Sequence, residues 1–139
     1  MLLDTNIVSE LMRPRPDPAV LAWFARRAGV AFYLSAVAEA ELRAGLAFLP
    51  EGQRRTRLTA AFDAMMAEDF AGRVLAFDSA AARAFAAIAA DRRRAGRPIS
   101  TADAQIAAIA RVRDLPLVTR NARDFDLSGV SVVDPWTAP

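Results

Sequence analysis

Five short apolar or β-branched runs recur along the chain, separated by stretches of helical period, and this alternation constrains the fold more than any other feature. Met1–Leu3, Ala31–Leu34, Val74–Phe77, Pro116–Val118 and Val130–Val133 are runs of strand length without the polar alternation of a one-sided sheet. Such runs suit strands covered on both faces. Between them, Asn6–Met12, Pro18–Ala28, Ala36–Leu49, Arg54–Phe70, Ser79–Arg94 and Thr101–Arg113 carry apolar residues three and four apart, the spacing of a helix with one buried stripe. The expectation is an α/β fold of three layers, α/β/α, around a five-stranded parallel sheet. A length of 139 residues suits one domain over 1–139. The Pro-dense segment Arg13–Pro18 reads as an extended connector that starts a helix at Pro18, and Ser100 is placed to cap the helix that follows Gly96-Arg97-Pro98.

Composition removes much enzyme chemistry. The chain has no His, no Cys and no Lys; all 18 of its cations are Arg. Imidazole bases, thiol nucleophiles, Cys/His zinc sites, Schiff bases and a phosphate-loop lysine are therefore excluded. Carboxylates, hydroxyls, amides and guanidinium groups remain, and the catalytic agent they suit is a hard metal ion on oxygen ligands. The net charge of +2 does not by itself argue for a nucleic-acid ligand.

In a parallel sheet, ligands gather beyond the carboxyl ends of the strands, so the polar residues there decide the function. Asp4-Thr5-Asn6 follows the first run, and Asp4 reads equally as a helix N-cap. Glu41 falls within the stripe Ala38, Leu42, Gly45, Leu46 and Leu49, where an acid is costly unless it has a partner or a metal. Glu39 lies on another face with Arg43 four residues on, which reads as a solvated ion pair. Gly45 in the stripe suggests close backbone packing. Asp103, three residues after Ser100, fits a capping box, and Asn121 and Asp124 after the fourth run have a capping explanation too. Together, though, these acids converge on one edge, where their mutual repulsion calls for a divalent cation, Mg²⁺ or Mn²⁺.

Asp4-Thr5-Asn6, Glu41-Leu42-Arg43-Ala44-Gly45-Leu46, Ala102-Asp103-Ala104-Gln105-Ile106-Ala107 and Thr119-Arg120-Asn121-Ala122-Arg123-Asp124-Phe125, in this order, resemble the PIN domain. Order, spacing and length are most similar to the VapC toxins, in the FitB-like branch. The resemblance implies a metal-dependent ribonuclease toxin of a type II toxin–antitoxin module with Asp4, Glu41 and Asp103 around Mg²⁺ or Mn²⁺. Asp124 or Asn121 would complete the set, Asn121 standing where the family often has Asp. Thr5, Asn6 and Thr119 match the supporting polar residues. The implied partners are RNA and a small DNA-binding antitoxin of VapB/FitA type, with a homodimeric toxin. Metal binding lowers the pKa of water and a carboxylate takes its proton, so phosphodiester hydrolysis needs no His.

Two Arg clusters bear on RNA. Arg92, Arg93, Arg94 and Arg97 precede the Asp103 helix and are candidate RNA contacts; Arg54, Arg55 and Arg57 read as a solvated face. Trp23, Phe24, Phe62, Phe70, Phe77 and Phe85 read as core. Leu11, Met12, Leu21, Trp23 and Phe24 also stand out as surface for a partner to cover. With no leader and no span of about 20 apolar residues, a soluble, cytoplasmic protein is expected. The alternative reading is a PIN-type binding module acting through its DNA-binding partner in transcriptional control. A Mg²⁺-dependent phosphohydrolase with Asp4 as nucleophile is a further one, disfavoured by Asn6 where a second Asp is wanted and by the absence of Lys.

Overall fold

The computed structural model describes residues 1–139. Five strands, β1 (Leu2–Leu3), β2 (Tyr33–Ser35), β3 (Val74–Leu75), β4 (Leu117–Val118) and β5 (Val132–Val133), form one all-parallel sheet in the order β3-β2-β1-β4-β5. Six helices connect them: α1 (Thr5–Leu11), α2 (Pro18–Ala25), α3 (Ala36–Ala47), α4 (Gln53–Glu68), α5 (Ser79–Arg94) and α6 (Thr101–Val112). Each expected run and helical stretch corresponds to one of these elements. The strands are shorter than their apolar runs, and only β2 is displaced, by one residue toward Ser35. A 3-10 turn at Ala122–Phe125 has no counterpart in the sequence reading.

Helix starts follow from short polar side chains. Asp4, Asp17, Ser35, Asp78 and Ser100 each accept a hydrogen bond from a backbone N–H of the helix they precede, satisfying donors that the first turn leaves free. Pro18 opens α2, where its missing N–H costs nothing. Gly96, at φ 70°, lets the chain turn back beyond α5, and the Arg97 N–H then bonds the Arg92 carbonyl at 2.9 Å.

The interior is a cluster that joins Leu2, Leu3, Leu34, Leu117 and Val118 of the central strands to Ile7, Val8, Trp23, Phe62, Ile88, Ile106 and Ile109 of the helices. At the sheet edges the two-sided burial read from the sequence gives out: Val74 is exposed, and Val132 and Val133 are half-buried. Three further expectations are corrected. Trp23 is fully buried, with Arg27 stacked on its ring at 4.0 Å, so it offers no surface to a partner; Leu21 does, and Leu11, Met12 and Phe24 are half-buried. A Cβ at Gly45 would meet nothing within 4 Å, so no close backbone packing explains that glycine. Arg92, placed among the RNA contacts, is buried: its guanidinium donates to the carbonyls of Arg97 (2.6 Å), Asp124 (2.7 Å) and Asp126 (2.9 Å). It clips the end of α5 to the 3-10 turn, and its burial keeps the guanidinium from a phosphate in solvent.

Candidate metal-dependent nuclease site

The sheet order reverses direction beside β1, between β1 and β4, and crevices form at such switch points. Leu3 pairs with Val118, so the next residues, Asp4 and Thr119, meet at the carboxyl edge. The Asp4 N–H bonds the Val118 carbonyl at 2.9 Å, and the Thr119 hydroxyl, fully buried, donates to Asp4 Oδ2 at 2.7 Å. Asp4 Oδ1 accepts the Thr5 N–H at 2.7 Å as the cap of α1, and Asn6 Nδ2 reaches Oδ2 at 3.3 Å. The cap and the site are therefore the same carboxylate. Of its roughly four lone-pair positions three are engaged, leaving one for a further ligand.

The same hydroxyl of Thr119 accepts from Asn6 Nδ2 and from the Asn121 N–H, each at 3.1 Å, while Asn6 Oδ1 accepts the Arg120 N–H at 3.3 Å. Thr119 and Asn6 thus lock the turn after β4 against the start of α1. Thr5 extends the network to α3: its hydroxyl donates to Glu41 Oε1 at 3.1 Å. Asn121 begins the 3-10 turn, but its side chain caps nothing, and Asp124 lies one turn on, exposed. Asp103 sits in the first turn of α6, half-buried, its N–H bonded to Ser100 Oγ at 3.2 Å as the capping reading anticipates.

Asp4, Thr5, Asn6, Glu41, Asp103, Asn121 and Asp124 line one cavity of about 500 Å³ that has no apolar residue in its wall. Ser9, Glu10 and Arg13 complete it, and sequence reasoning missed all three. The available signal was helical phase, since Asn6, Ser9, Glu10 and Arg13 succeed one another along one face of α1 and its end. Glu10 is buried, held by the Asp17 N–H at 2.8 Å and by Arg13 at 3.2 Å. Arg93, Arg94 and Arg97 lie outside this wall; Arg94 pairs with Asp91 and Arg97 with Asp126.

Glu41 reaches the cavity by a different route from the one inferred. It is exposed, on the flank of the α3 stripe that faces the crevice, whereas Glu39 is the less exposed of the two. Glu39 pairs with Arg43 at 2.9 Å, and Arg43 bridges on to Asp63 of α4, also at 2.9 Å, which makes a link between helices of what reads in sequence as an isolated surface pair.

Five carboxylates against one guanidinium make the cavity strongly anionic. Burial pushes the Asp4 carboxyl up from its usual range, the Thr119 and Thr5 hydrogen bonds pull against it, and the charges of Asp103 and Glu41 raise it further. Asp103 is raised as well, first by burial; the Ser100 side chain at its carboxyl opposes, the charge of Asp124 adds, and the charge of Arg92 opposes. No three of the acids stand close enough together to form a ready ligand set. The donors are all oxygen, two carboxyls are destabilised as anions, and Asp4 keeps a free lone pair. This chemistry fits a hard divalent ion.

A family model described as the PIN domain matches residues 1–128. The chain is 40% identical over 136 residues to VapC ribonuclease Y4jK of Sinorhizobium fredii, covering 98% of this chain and 97% of that one. It is 38% identical over 136 residues to toxin FitB of Neisseria gonorrhoeae, covering 98% of each. A solved structure of FitAB bound to an IR36 DNA fragment superposes with a TM-score of 0.91 at 36% identity, over 99% of this chain and 96% of that one. No helix is long and apolar enough to cross a membrane.

Proposed function

The chain belongs to the PIN-domain family, among the VapC toxins of the FitB-like branch, and on that premise we propose that it is an endoribonuclease toxin whose hydrolysis of RNA phosphodiester bonds depends on Mg²⁺ or Mn²⁺. The observation that carries the metal dependence is the wall of the 500 Å³ cavity: five carboxylates, two hydroxyls and two amides against one guanidinium, and no apolar side chain. Asp4, Glu41, Asp103 and Asp124 would hold the ion, with Asn121 at the rim. A divalent cation there would lower the pKa of the attacking water and neutralise charge that develops on the phosphate. The chain's own residues do the rest. Thr119 and Thr5 fix Asp4 and Glu41 in place through hydrogen bonds of 2.7 and 3.1 Å. Asn6 holds the turn that carries Asn121 and Asp124. The attacking water gives its proton to a carboxylate of this set, the only bases present in a cavity without imidazole or amine.

The toxin acts in the cytoplasm, as a homodimer of single PIN domains held inactive by a small DNA-binding antitoxin. A cation from the antitoxin, entering among Asp4, Glu41 and Asp103, would satisfy the same charge imbalance that the metal does. The test is incubation of the purified, antitoxin-free chain with total RNA, with Mg²⁺ or Mn²⁺ against chelator, and mapping of the cleaved ends. Cleavage that survives chelation, or that Asp4→Asn and Asp103→Asn leave at the wild-type rate, overturns the reading.

A further inference from the structure

The acidic cavity opens into a second, larger groove of about 820 Å³ between α1, α3 and α4, and the two share Thr5, Ser9, Arg13 and Glu41. The groove has a floor of Met12, Leu42, Leu46 and Leu58 and three cations, Arg13, Arg54 and Arg57, against one anion, Glu41, at its junction with the acids. Helical phase puts Arg54, Arg57, Leu58 and Ala61 on one face of α4. Arg55 falls on another and lines a separate cavity with Arg43 and Asp63. Arg54 and Arg57 are exposed and make no ion pair, while Arg13 spends one Nη on the buried Glu10 and has its other donors free. In a chain whose acidic and basic residues nearly balance, two unpaired guanidiniums on one wall and a third at the junction form a local cationic track.

We propose that this groove is the path of the single-stranded RNA flanking the cleavage point, with Arg13, Arg54 and Arg57 contacting its phosphates. The inference rests on the ribonuclease reading and locates the substrate within it. An anionic strand cannot approach five carboxylates unaided; a cationic approach beside them anchors the phosphates on either side of the one that enters. The aliphatic floor offers the faces of the bases van der Waals contact that does not read their sequence. Charge favours an anionic strand here, since Arg13, Arg54 and Arg57 stand against the single anion Glu41, whereas an apolar segment would use only the floor. The main RNA contacts thereby move from the Arg92–Arg97 stretch, where Arg92 is buried, Arg94 and Arg97 are paired and only Arg93 stands exposed without an ion pair, to this groove.

The experiment measures binding of a fluorescein-labelled single-stranded RNA of mixed sequence, about a dozen nucleotides long, by anisotropy in chelator across a salt series. Each phosphate contact on a single strand contributes about 0.7 to the slope of log K against log salt, so the double variant Arg54→Gln/Arg57→Gln should lower that slope by about 1.4 and weaken binding about 25-fold at ~0.1 M salt. Arg55→Gln should keep the wild-type slope. With Mg²⁺ or Mn²⁺ present, the double variant should raise KM for cleavage of the same RNA and leave kcat nearly unchanged, since its residues hold the strand away from the scissile bond. An unchanged slope while the wild type cleaves RNA overturns the groove assignment and leaves the ribonuclease reading standing. A lowered slope in a wild type that does not cleave under any of these metals supports the RNA path and removes the hydrolytic reading. Unchanged RNA binding together with lost inhibition by the antitoxin assigns the groove to a protein and overturns the proposal.

Discussion

Thr119→Val isolates the one hydroxyl on which the site is built. Valine keeps the shape and removes a group that donates to Asp4 Oδ2 at 2.7 Å and accepts from Asn6 Nδ2 and the Asn121 N–H at 3.1 Å each. Thr119 is fully buried, so water cannot replace the lost donor at Asp4, whereas the exposed Asn121 can turn its N–H to solvent. Losing a hydrogen bond to a buried carboxylate costs about 2 kcal/mol, which in a chain of this length lowers Tm by about 7 °C. The cost depends on pH with a definite sign. Burial already raises the Asp4 carboxyl and the Thr119 bond opposes that rise, so its removal moves the carboxyl further up. A raised folded pKa means that stability present below the unfolded carboxylate range, near 3.9, is lost as pH climbs through the folded value, and the substitution deepens that loss. Urea unfolding in chelator should therefore show the gap between wild type and variant widest near neutrality and narrowing to about 1 kcal/mol in acid, where the bond is to a neutral carboxyl. The acid limb of the cleavage profile should move to higher pH. A gap that is independent of pH, or that widens in acid, would refute the assignment of Thr119 as the support of an ionised Asp4.

Three further outcomes follow from the same geometry. Glu39→Gln should cost about 0.3–0.5 kcal/mol through its ion pair with Arg43 and leave cleavage intact, whereas Glu41→Gln should abolish cleavage at unchanged urea midpoint; equal kinetic effects would mean that the crevice is not where the chemistry occurs. Arg92→Ala should destabilise by about 3 kcal/mol, because three carbonyls lose a charged donor, and Arg92→Lys should recover only part of it, lacking the planar fork; an unchanged urea midpoint would show that the clip contributes nothing to stability. In chelator, the raised carboxyls of Asp4 and Asp103 should make the wild type lose thermal stability as pH rises from about 4 toward neutrality, and Mn²⁺ or Mg²⁺ should restore it; a metal-independent profile would argue against ion binding by this pair.

The sequence by itself determined the elements and their layering. Apolar runs of strand length alternating with helical stripes leave a parallel sheet between helices as the arrangement that buries both, and Asp4, Pro18 and Ser100 mark helix starts because their local chemistry is complete within a few residues. It also restricted the chemistry, since a chain with neither His, Cys nor Lys has no side chains but carboxylates to serve as bases near neutrality. What it could not determine were properties that arise between elements distant in the chain. That Thr119 holds Asp4 depends on β1 and β4 being neighbours, and a separation of 115 residues leaves no local trace of it. Arg92 reads as one of a basic run until the carbonyls of Arg97, Asp124 and Asp126 close around it, and Arg54 and Arg57 read as solvent-facing until α1 and α3 wall the groove in front of them. Glu41 was selected for a buried stripe and stands instead on its exposed flank: helical phase assigns a residue to a face, but only the packed neighbours decide whether that face meets the core or a crevice.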